Sequence, residues 1–209
     1  MKIPASTRGF TVVELMMAIT VLAIGVTGII AMQKITVASN LHAKKLAIAT
    51  QIAHAWQDRL AIDASLWNHP SRVGGVSTPS DRPTDTIWIG ALIDQGWKRP
   101  SEDFTSHQFG PAFDALGNVI LDNTTTALET AYYCTHVRLT TLMPEQEGQT
   151  GLIRTEVRVF WLREGGGGSI DTGKTLCEPN TSPQAIGGAV DRYHFVYMTS
   201  AVKQNAPTI

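Results

Sequence analysis

Hydrophobic positions are spread very unevenly along this chain, and their spacing divides it into three stretches. From Phe10 to Met32 run 23 residues, FTVVELMMAITVLAIGVTGIIAM, with one charge among them, at Glu14. In residues 33–62 the apolar positions take a helical period. Leu46, Ala49, Ala53, Trp56 and Leu60 recur at alternating steps of three and four, with Lys44, Gln51 and Asp58 on the opposite side. No proline interrupts the chain between Pro4 and Pro70, so both stretches read as one helix from about Phe10 to about Ile62. At 1.5 Å per residue it would be roughly 80 Å long. Its first half is apolar all round and its second half is amphipathic.

Beyond the helix the period changes to two. Tyr133, Thr135, Val137, Leu139 and Thr141 alternate with Cys134, His136, Arg138 and Thr140. Ile153, Thr155, Val157, Val159 and Trp161 alternate with Arg154, Glu156 and Arg158. Both runs are rich in β-branched and aromatic residues and predict strands, with Pro144–Gly151 as the hairpin loop between them. Tyr193–Val202 is a third candidate strand. Residues 63–131 are richer in proline and turn dipeptides. There Thr86–Ile93 has a β-rich start, and Phe113–Leu121 reads as a turn at Gly117-Asn118 followed by a short strand. A helix followed by antiparallel strands is an α+β order.

The first stretch sets the compartment. About 20 apolar residues suffice to cross a bilayer as a helix. The preceding MKIPASTRG carries Lys2 and Arg8 and no acid, which puts the N-terminus in the cytoplasm and the rest of the chain outside it. The run is too long for an ordinary cleaved signal peptide and passes Lys34 into the amphipathic helix without a break. A simple membrane anchor would not need Glu14, because a carboxylate inside a membrane helix costs up to ~3 kcal/mol and is usually functional.

The segment Arg8-Gly9-Phe10-Thr11-Val12-Val13-Glu14-Leu15 resembles the type III signal of type IV prepilins. The resemblance implies that a prepilin peptidase cuts after Gly9, that Phe10 becomes the N-methylated first residue, and that Glu14 guides assembly. Glu14 lies at i+4 from Phe10, on the same helix face. The family's solution for two charges in an apolar core is to pair this glutamate with the terminal amine of a neighbouring subunit. Further along, VLAIGVTGIIAMQ and LAIATQIAHAWQDRL are similar to V-type minor pilins of type IV pili; this likeness covers roughly residues 7–62. Major subunits of the family usually carry a proline in the membrane half. This chain has Gly25 and Gly28 there, which either loosen the helix or permit close packing.

The implied layout is a leader at 1–9, a membrane and assembly helix at 10–32, the amphipathic half of the stem at 33–62, and a globular head at 63–209. This is the type IV pilin fold, a long helix packed on an antiparallel sheet. The implied role is a minor pilin that joins other minor pilins and a tip adhesin, primes assembly of the major pilin with the inner-membrane assembly platform, and stays at the pilus tip. Before assembly it would sit in the inner membrane with its head in the periplasm. A minor pseudopilin of a type II secretion system fits the same residues. A membrane-anchored periplasmic enzyme or binding protein is the alternative from another class.

Composition and motifs add exclusions. The chain has 209 residues, 17% charged, with a formal net charge of −1, so no clustered basic excess points to nucleic acid. The two cysteines, Cys134 and Cys177, are too few for a zinc ribbon or an iron–sulfur cluster. In an exported domain they suggest a disulfide, with two free thiols as the alternative. Gly168–Thr175 matches the P-loop expression, but Pro179 and Pro183 follow too soon for the helix a phosphate cradle needs. His42, His54, His69, His107, His136 and His194 form no close ligand pair. Asp114, Asn118 and Asp122 could offer oxygens to calcium, although turn chemistry explains them as well. No catalytic residue, metal or cofactor is predicted.

Overall fold

A computed structural model describes Gly9, residues 11–65, Trp67, and residues 86–101, 108–121, 130–144, 150–163, 176–177 and 182–204. Among the described residues seven elements follow one another: α1 (Val12–Ser65), α2 (Ile89–Leu92), β1 (Ala112–Phe113), β2 (Tyr133–Met143), β3 (Leu152–Leu162), α3 (Pro183–Gly188) and β4 (Tyr193–Lys203). The order is α+β, as expected. The chain divides into two compact units, Met1–Lys45 and Leu46–Ile209, with the boundary inside α1.

In the first unit α1 is helical from Val12 onward and its residues are exposed almost throughout. It is long and apolar enough to cross a membrane. Its threonines hide their polarity. The hydroxyls of Thr20, Thr27 and Thr36 donate to the carbonyls of Met17, Ile24 and Met32 at 2.8, 2.8 and 2.9 Å. Each hydroxyl is thereby satisfied within its own helix, as an apolar surrounding demands.

In the second unit the helix buries Ala49, Ile52, Ala53, Trp56, Leu60, Asp63 and Ala64. Four members of the predicted stripe lie in the core. The fifth does not: Leu46 is 43% exposed, because contact begins a turn later, where Ile48 and Ala49 pack. Lys44, Gln51 and Asp58 are exposed, as read.

The sheet has the order β1-β2-β3-β4, antiparallel throughout. All three long strands lie where period two placed them, and Met143 pairs with Leu152 across the β2–β3 hairpin. One face carries Val137, Leu139, Ile153, Val157, Val159 and Trp161 into the core with the helix. The other face, near its Cys134 end, buries a second cluster: Cys134, Phe160, Leu176, Cys177, Ile186 and Tyr193. Cys134 and Cys177 are joined, Cα to Cα 5.4 Å, so the disulfide of the two alternatives is the one found. It pins Leu176 and Cys177 against β2, and α3 closes beside them through Ile186. A covalent staple has given the sheet's far side a small core that alternation does not reveal.

Two local expectations need correction. Thr86–Ile93 is not the start of a strand; Ile89–Leu92 forms a helical turn. The Thr86 hydroxyl accepts the Gly90 N–H at 2.8 Å. Asp63 accepts the N–H groups of Ile87, Trp88 and Ile89 at 2.7, 2.9 and 2.9 Å. Those caps override the β preference of the isoleucines and tryptophan. In Phe113–Leu121 the turn is present, with Gly117 at φ 86°, a left-handed conformation suited to glycine. The strand expected after it amounts to one bridge, Phe113 to Val119, and the paired residues β1 lie before the turn. The P-loop-like segment, the glycine run Gly165–Gly168, His69, His107 and Asp122 lie outside the described residues.

Candidate functional site

Gly9 is exposed, and no described atom comes within 4 Å of the position a Cβ would take. Among the described residues nothing gives a steric reason for glycine there. Phe10 lies outside the described residues. Thr11 is the last residue before α1, and its hydroxyl accepts the Glu14 N–H at 3.3 Å. Its carbonyl takes the Leu15 N–H at 3.2 Å. Thr-x-x-Glu is the spacing of a capping box, and an acid in the first turn suits the positive end of the helix dipole. Thr11 and Glu14 thus have a local part in starting the helix, which the sequence reading did not extract from the same letters.

Around Glu14 the helix surface is apolar and open: Val13, Leu15, Met17, Ile19 and Leu22 are all more than half exposed. Gly25 and Gly28 lie inside the unbroken helix with open space where a side chain would be. Below them Ile29, Met32, Gln33, Thr36 and Val37 line a shallow groove. Such a surface has no stable place in water, and either lipid or other helices would cover it.

The second unit holds polar clusters that sequence patterns did not single out. On the outer face of the sheet Arg158 is buried, 2% exposed. Its Nη2 lies 2.7 Å from His136 Nδ1 and donates to the Pro183 carbonyl at 2.7 Å. Burial, then the charges of Arg158 and Arg99, lower His136 to a pKa of about 3. It is therefore neutral and can accept from the guanidinium. Burial also lowers Arg158, with partial relief from its bond to Tyr197. The guanidiniums of Arg158 and Arg138 lie 4.6 and 4.8 Å from the Trp97 ring centre. Arg138 holds Glu156 in a two-point bond of 2.6 and 2.8 Å, which raises the arginine and lowers the glutamate. A Cβ on Gly187 would come within 2.5 Å of Arg158 Nη1, so a side chain there would displace the guanidinium from its place against α3. These groups fasten α3 and the Trp97 loop to the sheet.

On the helix side, the Thr155 hydroxyl donates to Gln57 Oε1 at 2.7 Å, and Gln57 Nε2 donates to the Met198 carbonyl at 3.2 Å. At the other candidate site, Asp114 accepts from the N–H groups of Leu116 and Asn118 and from the Asn118 side chain, all within 3.0 Å. Burial raises its pKa and these bonds outweigh that, leaving it lowered. Its oxygens are engaged in the turn. Among the described residues no three of His, Cys, Asp and Glu are grouped to hold a metal. His42 and His54 are exposed, while His194 is half-buried and stacks on Trp161 at 5.3 Å.

Comparison with curated proteins and with solved structures yields no match for this chain. Residues 5–30 match the family model described as the prokaryotic N-terminal methylation motif. The match spans Gly9, Thr11, Glu14 and the apolar surface that follows, and the chain therefore carries at its N-terminus the signature of prepilin-like proteins.

Proposed function

We propose that this protein is a minor pilin, of the V type, that enters the initiating complex of a type IV pilus. The observation that carries the reading is the run Gly9-Phe10-Thr11-Val12-Val13-Glu14 at the start of an exposed, apolar helix. In this reading residues 1–9 are a leader and Phe10 is the methylated mature N-terminus. The helix through Met32 holds the subunit in the inner membrane, residues 33–62 continue the stem, and residues 63–209 form a periplasmic head. Glu14 selects its place in the complex. A carboxylate in an apolar bundle is costly unless it faces a cation, and the free amine of a neighbour supplies one. Partners are other minor pilins, the major pilin and a tip adhesin, brought together at the inner-membrane assembly platform. The assembled subunit ends at the pilus tip.

The peptidase must fit the backbone before the cut, so a side chain at Gly9 obstructs it. Gly9→Val leaves the precursor uncut in the inner membrane, and mass spectrometry of the intact protein reads this directly. A Gly9→Val protein beginning at a methylated Phe10 refutes the processing. Recovery of the wild-type protein in sheared pili supports the pilus over a secretion pseudopilus.

A further inference from the structure

We propose that the Cys134–Cys177 bridge is an oxidation-dependent latch. Formed, it closes an outer layer, Leu176-Cys177 with α3, over one face of the sheet. Unformed, it leaves that layer open while the core on the opposite face still folds. The sheet carries two separate cores. The first packs α1 from Ala49 to Ala64 on Val137, Ile153, Val157 and Trp161, and among the described residues none of 176–188 belongs to it. In the second, the sheet supplies Cys134, Phe160 and Tyr193, and the outer layer supplies Leu176, Cys177 and Ile186. Cys134, Phe160 and Phe195 stand in one row across β2, β3 and β4, and His136, Arg158 and Tyr197 stand in the next. The layer lies on these two rows and adds nothing described to the core behind them.

α3 is a poor helix by itself. It is six residues long, Pro-Gln-Ala-Ile-Gly-Gly, with two glycines and one buried side chain, Ile186. So short a helix does not form alone in water, and glycine weakens it further. Residues 176–177 and 182–188 are ordered for three buried side chains, and the entropy of fixing their backbone opposes that gain. The bridge offsets this cost by confining Cys177 to Cys134, Cα to Cα 5.4 Å. Cys134 is placed by the sheet without the layer's help, paired with Ala112 on one side and Phe160 on the other. The latch also covers polar groups. His136 and Arg158 are each 2% exposed, and Arg158 Nη2 donates to the Pro183 carbonyl of α3 at 2.7 Å. With α3 lifted, both regain water, and the face presents Phe160, Tyr193, a guanidinium and two thiols.

Closure converts two thiols into one disulfide by thiol–disulfide exchange. A partner bearing a disulfide takes up the two electrons and the two thiol protons and leaves as a dithiol. A dithiol reductant runs the same step backward. Cys134 is 0% exposed and Cys177 1%, so a reductant reaches the closed bridge only after the layer lifts. The latch therefore shuts readily and reopens slowly. It is built within the second unit alone and does not depend on the pilin reading.

The test compares NMR spectra of the full-length protein in detergent, oxidised and held reduced, with those of Cys134→Ser and Cys177→Ser. In the three forms without the bridge, the amide shifts of Ala185, Ile186 and Gly187 move to unstructured values, while those of Leu60, Val157 and Trp161 stay native. His136, held near pKa 3 by burial and the charges of Arg158 and Arg99, then titrates at about pH 5 or above. Native α3 shifts without the bridge overturn the latch. Loss of the native shifts at Leu60, Val157 and Trp161 overturns it too, because the two cores would then fold as one. A second variant keeps both cysteines. Ile186→Asp removes the apolar anchor of α3 and should let a dithiol reductant open the bridge about 10-fold faster or more than in wild type. Reduction at the wild-type rate overturns the proposal as well.

Discussion

Asp63 is 3% exposed and lies in the last turn of α1, where a negative charge opposes the helix dipole. It is held there by three backbone donors of a distant segment, Ile87, Trp88 and Ile89, all within 2.9 Å. Asp63→Ala removes all three acceptors at once and leaves the Trp88 and Ile89 N–H groups buried without them. Each hydrogen bond to a charged group contributes about 1.5–3 kcal/mol, and these three share one carboxylate, so they do not add fully. A loss of about 3–5 kcal/mol follows, a large share of the 5–15 kcal/mol typical of a folded domain. For a domain of this size it corresponds to a fall of roughly 10 °C in Tm. Urea and thermal unfolding of the detergent-solubilised protein, followed by tryptophan fluorescence, measure it. Trp56 and Trp88, whose ring centres are 5.5 Å apart, report on the affected region. Asp63→Asn keeps one acceptor oxygen and should fall between the two. An Asp63→Ala protein within about 1 kcal/mol of wild type would show that Thr86 and packing, not Asp63, fix this turn.

Cys134→Ser and Cys177→Ser should each cost about 4 kcal/mol, since the bridge closes 43 positions, and the double change should cost no more; native protein in which both thiols react with a labelling reagent refutes the pairing. His136 is neutral in the fold down to about pH 3, whereas the unfolded chain protonates it near its ordinary 6.5. Its contribution is therefore complete above pH 6.5 and is lost as pH falls below it, by up to about 1.4 kcal/mol per unit. His136→Gln keeps an acceptor for Arg158 and should flatten the stability profile between pH 5 and 6.5; identical slopes for the two proteins contradict the burial argument. Glu14→Ala should leave the protein cut and stable in the membrane but deplete it from pili; incorporation at the wild-type level transfers recruitment to the stem or the head.

The long helix, its amphipathic second half and the three long strands were legible in the sequence because each depends on a period that is local to the chain. A carboxylate in an apolar run is equally local, so Glu14 stood out from the letters, while Gly9 and Phe10 were singled out by the resemblance of the segment around them to the prepilin signal. The two cysteines could be suspected of pairing, but only the fold brings Cys134 beside Cys177. Thr86–Ile93 looked β-like because propensity knows nothing of Asp63, which lies more than twenty positions earlier and becomes a neighbour only when α1 packs. Arg158 stood in the sequence as one of the polar positions alternating along a strand. Its burial follows from α3 and the stapled Leu176-Cys177 segment closing over that face. The parity of β4, which turns the backbone groups of Tyr197, Thr199 and Ala201 away from β3, is set by register with β3. Register is a relation between two strands, and no pattern within either one contains it.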